Sequence, residues 1–165
     1  MKLRLAVALV AGITLCACGH DAITAAAPPV DAAGTWWLTM TLSVVRLADG
    51  YRAQLECRGT LALTQEPGTG SLRGAVRYSY RCEGGSELSG RVNAAGKVAF
   101  TMDGFKPYEP ADSPCPGARG VPFSGELSTF AELGTRLYAT GITRVGCGEL
   151  GDHEFTYTFD GWRSP

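Results

Sequence analysis

Six cysteines and two histidines carry most of the chemical possibility in this 165-residue chain. Cys57, Cys82, Cys115 and Cys147 are spread through its body, while Cys16 and Cys18 close an apolar run near the N-terminus. There is no Cys-x-x-Cys pair, and His20 and His153 are the only imidazoles, so the spacing argues for disulfides over a metal centre. Four cysteines allow three connectivities. The stretch Cys147-Gly-Glu149-Leu-Gly-Asp152-His153-Glu154 gathers acids about the later histidine. Its spacing fits no EF-hand, and His153 would act as a general base only beside an oriented nucleophile. The sequence holds no Gly-x-Ser-x-Gly, His-Glu-x-x-His or glycine-rich phosphate loop. The expectation is a non-catalytic protein with no metal and no cofactor.

The elements that position the cysteines are strands. From Arg52 to Thr64, residues Leu55, Cys57, Leu61 and Leu63 share one face, and Gln54, Glu56, Arg58 and Thr60 the other. From Leu72 to Cys82, Leu72, Val76, Tyr78, Tyr80 and Cys82 alternate with Arg73, Arg77, Ser79 and Arg81. Strict alternation marks half-buried antiparallel strands. Folding the hairpin about residues 69 and 70 sets Cys57 against Cys82, Leu61 against Tyr78 and Leu63 against Val76. A one-residue slip would part the cysteines. The same fold would make Arg58–Arg81 and Glu56–Glu83 like-charged neighbours.

The pattern continues on either side. A strand beginning Gly34-Thr35-Trp36 precedes the hairpin and ends at the Ala48-Asp-Gly50 turn. Five more strands follow, near residues 87–92, 97–103, 121–129, 136–145 and 153–161. The proline-rich segment 105–118 is no ladder strand, and no useful amphipathic helical window occurs after residue 34. Eight short amphipathic strands in hairpin succession must bury one face. Closing the sheet does so and removes its edges. The expectation is all-β: an eight-stranded antiparallel up-and-down barrel, with a β-sandwich as the alternative. In such a barrel Cys115 and Cys147 lie in loops at one end, and Cys57 and Cys82 lie toward it. The expected bridges are therefore Cys57–Cys82 and Cys115–Cys147, clamping that mouth. Inward-phase glycines at 59, 74, 90, 125, 141 and 161 either open an internal cavity or serve strand coiling.

The N-terminus reads as a leader. Met1–Arg4 is basic, and Leu5–Ala17 is an apolar run shorter than the ~20 residues that cross a bilayer as a helix. The run ends in Leu15-Cys16-Ala17-Cys18, which resembles a bacterial lipobox. That resemblance implies cleavage before Cys18 and diacylglyceryl and acyl chains on its residue, a firm membrane anchor. Gly19 in place of Asp implies the outer membrane of the cell envelope. Residues 1–17 are then signal peptide, 18–33 lipidated Cys and an Ala/Pro-rich flexible tether, and 34–165 the barrel domain. Removing Lys2 and Arg4 from the 15 basic residues leaves 13 against 16 acidic, a net charge of −3. Nothing in that balance points to nucleic acid.

The opening Gly34-Thr35-Trp36 with serial hairpins resembles the calycins, lipocalins and especially avidin-like barrels, over about residues 34–163. The resemblance implies architecture. No residue set here carries over as a biotin site.

Candidate ligand-binding residues inside such a barrel are Trp36, Tyr78, Tyr80, Phe100, Phe123 and Tyr157, which would enclose a small hydrophobic ligand. A candidate partner loop holds Phe105 and Tyr108 at the mouth. Arginines 52, 58, 73, 77, 81 and 91 share an outward face, either laced by salt bridges or offered to an anionic partner. Val45, Ile142 and Trp162 are further candidates for a contact surface. The tether enters at the far end, beside Trp36, so the mouth would point away from the membrane. The expected function is a non-catalytic binding module for a small hydrophobic ligand or an envelope partner. The alternatives are a periplasmic or surface inhibitor of a protease or lysozyme, and a structural envelope lipoprotein.

Overall fold

The structure, a computed structural model, describes residues 28–79, 82, 85–103 and 118–164. Its eight strands are β1 (Gly34–Arg46), β2 (Arg52–Gln65), β3 (Ser71–Ser79), β4 (Gly85–Val92), β5 (Lys97–Met102), β6 (Val121–Phe130), β7 (Gly134–Gly146) and β8 (Asp152–Arg163). Each pairs antiparallel with the next, and β8 returns to β1, so the sheet closes as an up-and-down barrel. A sandwich is ruled out by that closure.

Local chemistry sets the turns. At Ala48–Gly50 the Gly50 amide donates to the Arg46 carbonyl with Gly50 at φ 73°, and the Arg46 guanidinium grips both oxygens of Asp49. Between β4 and β5 the Asn93 carboxamide oxygen accepts from the amides of Ala95 and Lys97, a side chain standing in for backbone.

The β2–β3 hairpin corrects the expected register. The Glu66 amide donates to the Ser71 carbonyl, and the Thr69 hydroxyl bonds Glu66 and Ser71, so the turn is centred one residue earlier than residues 69 and 70. Leu61 therefore faces Val76, Leu63 faces Gly74, and Arg58 faces Ser79. The offset is two residues, which preserves every side chain's face. Arg58 pairs with Glu56 on its own strand at 3.2 Å. Arg81 and Glu83 lie outside the described residues. Cys82 lies past the end of β3 yet still bonds Cys57, with Cα atoms 5.6 Å apart. The bridge thus joins the loop after β3 to the middle of β2.

The wall is uneven in height. β1, β2, β7 and β8 run 13, 14, 13 and 12 residues, against 8 and 6 for β4 and β5. At ~3.3 Å per residue, the β1–β2 and β7–β8 hairpins rise well above the opposite strands among the described residues. The Leu47 amide donates to the Asp152 carbonyl at 2.9 Å and ties the two hairpins together. Gly148–Leu150 forms one 3-10 turn at the tip of the second.

The lower end is closed by residues expected to be tether. Ala32 is 1 % exposed, its amide donates to the Gln65 side chain, and its carbonyl accepts from the Trp36 indole. The Val30 amide donates to the Asn93 carbonyl. Arg163 clasps this segment from β8, donating to the carbonyls of Ala33 and Asp31 and stacking over the Trp36 ring at 4.9 Å. Residues 30–33, expected to be tether, are thus held to the barrel, because its base offers polar partners to this backbone.

Candidate binding surfaces

Of the interior candidates, Phe100, Phe123 and Tyr157 converge, with Phe159 among them. Phe100 and Phe123 stack with ring centroids 4.9 Å apart, Phe159 meets Phe100 edge-on at 5.5 Å, and Tyr157 lies 6.0 Å from Phe123. Trp36, Tyr157 and Phe159 are 0–1 % exposed. Trp36 belongs to the closed base. Tyr78 sits higher and close enough to Tyr157 for the two to interact electrostatically. Burial pushes the Tyr157 hydroxyl up to about 12 and the Tyr78 hydroxyl further above its ordinary value. Tyr80, Phe105, Tyr108, Cys18 and Cys115 lie outside the described residues.

Except at Gly161, where an added Cβ would meet only ordinary contacts, the inward glycines resolve toward close strand approach. A Cβ would fall 2.2 Å from the Arg77 carbonyl oxygen at Gly59, 2.2 Å from that of Ala99 at Gly90, and 1.9 Å from that of Tyr138 at Gly125. Their missing side chains are occupied by neighbouring backbone, as at barrel corners.

The upper rim is where apolar groups meet solvent at the tall hairpins. Leu47, Tyr51 and Leu150 are 44, 59 and 44 % exposed. The Arg46 guanidinium lies 5.2 Å from the Tyr51 ring centre, and its bond to Asp49 holds that carboxyl below its ordinary range. This pairing stiffens the first tip. Cys147 is disulfide-bonded at the base of the second; Cys115, its expected partner, is not among the described residues. His153 is buried, with Nδ1 3.1 Å from the Gly151 carbonyl oxygen. Glu154 turns outward to Arg144 at 3.1 Å. Among the described residues no group of three or more His, Cys, Asp or Glu could hold a metal ion.

The arginine face is mostly solvated. Arg52, Arg73, Arg77 and Arg91 are exposed, as is the Arg58–Glu56 pair. On the lower outer wall, sequence reasoning named Trp162 but not the aromatic residues around it. Trp37 is 69 % exposed and pairs across strands with Trp162, and Phe130 and Tyr138 lie on adjoining strands. The signal was present as outward-phase aromatics at the start of β1 and end of β8. A groove of about 430 Å³ runs beside it, lined by Trp37, Arg58, Thr60, Asp160 and Trp162.

No family model, curated protein or solved structure matches the chain.

Proposed function

We propose that this chain is a lipid-anchored, non-catalytic envelope protein that uses a calycin-like barrel as a rigid stand and binds an envelope partner through its upper rim. The observation that carries the reading is a contrast. Phe100, Phe123 and Phe159 interlock inside the barrel, while Leu47, Tyr51 and Leu150 stand exposed on two braced hairpins at the end opposite the N-terminal segment. Exposed apolar groups on a fixed frame, with an aromatic ring among them, suit protein recognition, because little freedom is lost on contact. The anchor rests on the lipobox resemblance at Leu15–Cys18, with Gly19 favouring the outer membrane. Inhibition of an envelope protease or lysozyme is a special case of such rim binding.

Two measurements test the reading. Native mass spectrometry of a Cys18→Ser protein exported to a bacterial periplasm should give the bare chain with two disulfides. An adduct that leaves on denaturation would restore the small-ligand carrier. A photo-crosslinking residue at position 51 should capture an envelope protein in cells, while one at position 140, outward on β7, should not. Equal silence at both positions would leave a structural lipoprotein as the better account. For the anchor, the wild-type mass should exceed the polypeptide mass by a lipid. Cys18→Ser should lose that excess and Cys16→Ser keep it.

A further inference from the structure

The lower outer wall carries a contiguous aromatic row. Arg136, Trp162, Trp37 and Thr60 are cross-strand partners in turn, running from β7 through β8 and β1 to β2. Phe130 packs on Trp162 with centroids 5.8 Å apart. Leu133, 67 % exposed, projects from the turn after Phe130. The Arg136 guanidinium lies against both the Tyr138 and Trp162 rings, 5.0 and 5.6 Å from their centres, and donates two 2.8 Å bonds to Asp160. The row's one cation is therefore neutralised in place. Glu132 and Asp31 are exposed at the same end, so aromatic surface, not positive charge, characterises it.

We infer that this row is a membrane-contact surface which seats the base of the barrel in the headgroup region of the bilayer that anchors the chain. The inference rests on the lipid-anchor reading above. Its support is the path of the chain. Val30 is held to the β4–β5 turn by the Asn93 carbonyl, and Pro29 lies beside Gly70 in the β2–β3 turn, so residue 28 emerges at the same end as Trp37 and Leu133. From Cys18 to Pro28 the chain spans at most about 35 Å when fully extended. The lower wall thus stays within reach of the lipid that holds Cys18. Tryptophan and tyrosine rings, apolar in body and polar at one edge, favour the headgroup level. An ion pair that masks Arg136 lowers the cost of bringing it there. The contact fixes the barrel upright, with its rim directed away from the bilayer.

The test separates this contact from cellular lipidation by supplying the anchor chemically. The mature chain, from Cys18 with its other cysteines oxidised, is coupled through the Cys18 thiol to a maleimide phospholipid in phosphatidylethanolamine/phosphatidylglycerol vesicles. Brominated phosphatidylcholine is added as the quencher. Trp37 and Trp162 should be quenched by lipid bromines and shielded from aqueous iodide, while buried Trp36 serves as the internal reference. Trp37→Ser should remove most of the lipid-quenched emission, and raising the salt should leave the quenching in place. Tryptophans open to iodide and untouched by bromine would overturn the inference with the anchor intact. Shielding from both quenchers would also overturn it, by assigning the row to a second copy of the chain. A wild-type protein that cells leave unlipidated would instead refute the anchor reading, whatever the coupled protein shows.

Discussion

Gly125 shows at residue scale what holds this barrel closed. It stands inward on β6, where β7 passes so near that a Cβ would lie 1.9 Å from the Tyr138 carbonyl oxygen and 2.5 Å from Ala139 Cα. Gly125→Ala should therefore cost up to about 3 kcal/mol in urea unfolding, the upper part of the roughly 1–3 kcal/mol typical of forcing extra atoms into a packed site. Gly120→Ala is the comparison: that residue has φ 57° with nothing within 4 Å, so only backbone strain of about 1 kcal/mol applies. Equal losses would deny the close approach. Tyr157 makes the second prediction. Its hydroxyl titrates near 10 in a free chain and at about 12 in the fold. A raised folded value means its contribution is whole below pH 10 and lost as pH rises through 12. Up to about 3 kcal/mol should disappear across that window, and Tyr157→Phe should lessen the alkaline fall in stability, leaving the share that Tyr78 contributes. A wild-type stability unchanged from pH 10 to 12 would show the hydroxyl to be solvated. Both residues were visible in the sequence as inward-phase positions. Whether a glycine opens space or admits a neighbouring strand depends on inter-strand distance, which no single strand's pattern contains.

At the scale of elements, alternation made the β2–β3 hairpin legible, and its faces came out as expected. Its register did not, because a two-residue shift leaves every face unchanged and the apolar pattern cannot distinguish the two. The decision fell to Glu66, Thr69 and Ser71, polar turn residues whose mutual bonds move the turn centre. The Cys57–Cys82 pairing survived the shift because Cys82 lies beyond the ladder and reaches back from the loop. A bridge at sequence separation 25 removes chain freedom worth about 3 kcal/mol from the unfolded state. The double variant Cys57→Ala/Cys82→Ala should lose roughly that amount by denaturant titration while keeping its far-ultraviolet β signature. Loss of the folded state altogether would mean that the bridge, and not strand pairing, holds β3 in place. The base of the barrel was illegible for a different reason. Pro28–Ala33 has no periodicity, so in isolation it reads as linker. Its order comes from Gln65, Asn93 and Arg163, partners that only the closed fold brings to it.

For the whole molecule, closure followed from the count of amphipathic strands, but the uneven height of the wall did not. Strand lengths on the two sides depend on where ladders stop, and among the described residues the last β2–β3 pair is Arg58 with Ser79. Above that point, among the described residues, Arg52–Cys57 pair with β1 alone. Among the described residues, the lower half is thus paired all round with aromatic rings packed inside it, and the upper half consists chiefly of two hairpins. This division suits a stand that presents a rim, since the packed half fixes the position of the exposed half. Local stability follows paired backbone and buried apolar contact. Hydrogen exchange should then be slowest across Arg58–Leu63 and Trp36–Leu42, and faster at Arg52–Glu56 and at the tips near Asp49 and Glu149. The Leu47–Asp152 bond should keep the two tips opening together, so a Leu47→Pro variant, which lacks that amide, should speed exchange at the second tip as well as the first. Uniform protection from base to rim would mean that the upper half is as sealed as the lower. The contrast on which rim binding rests would then be gone.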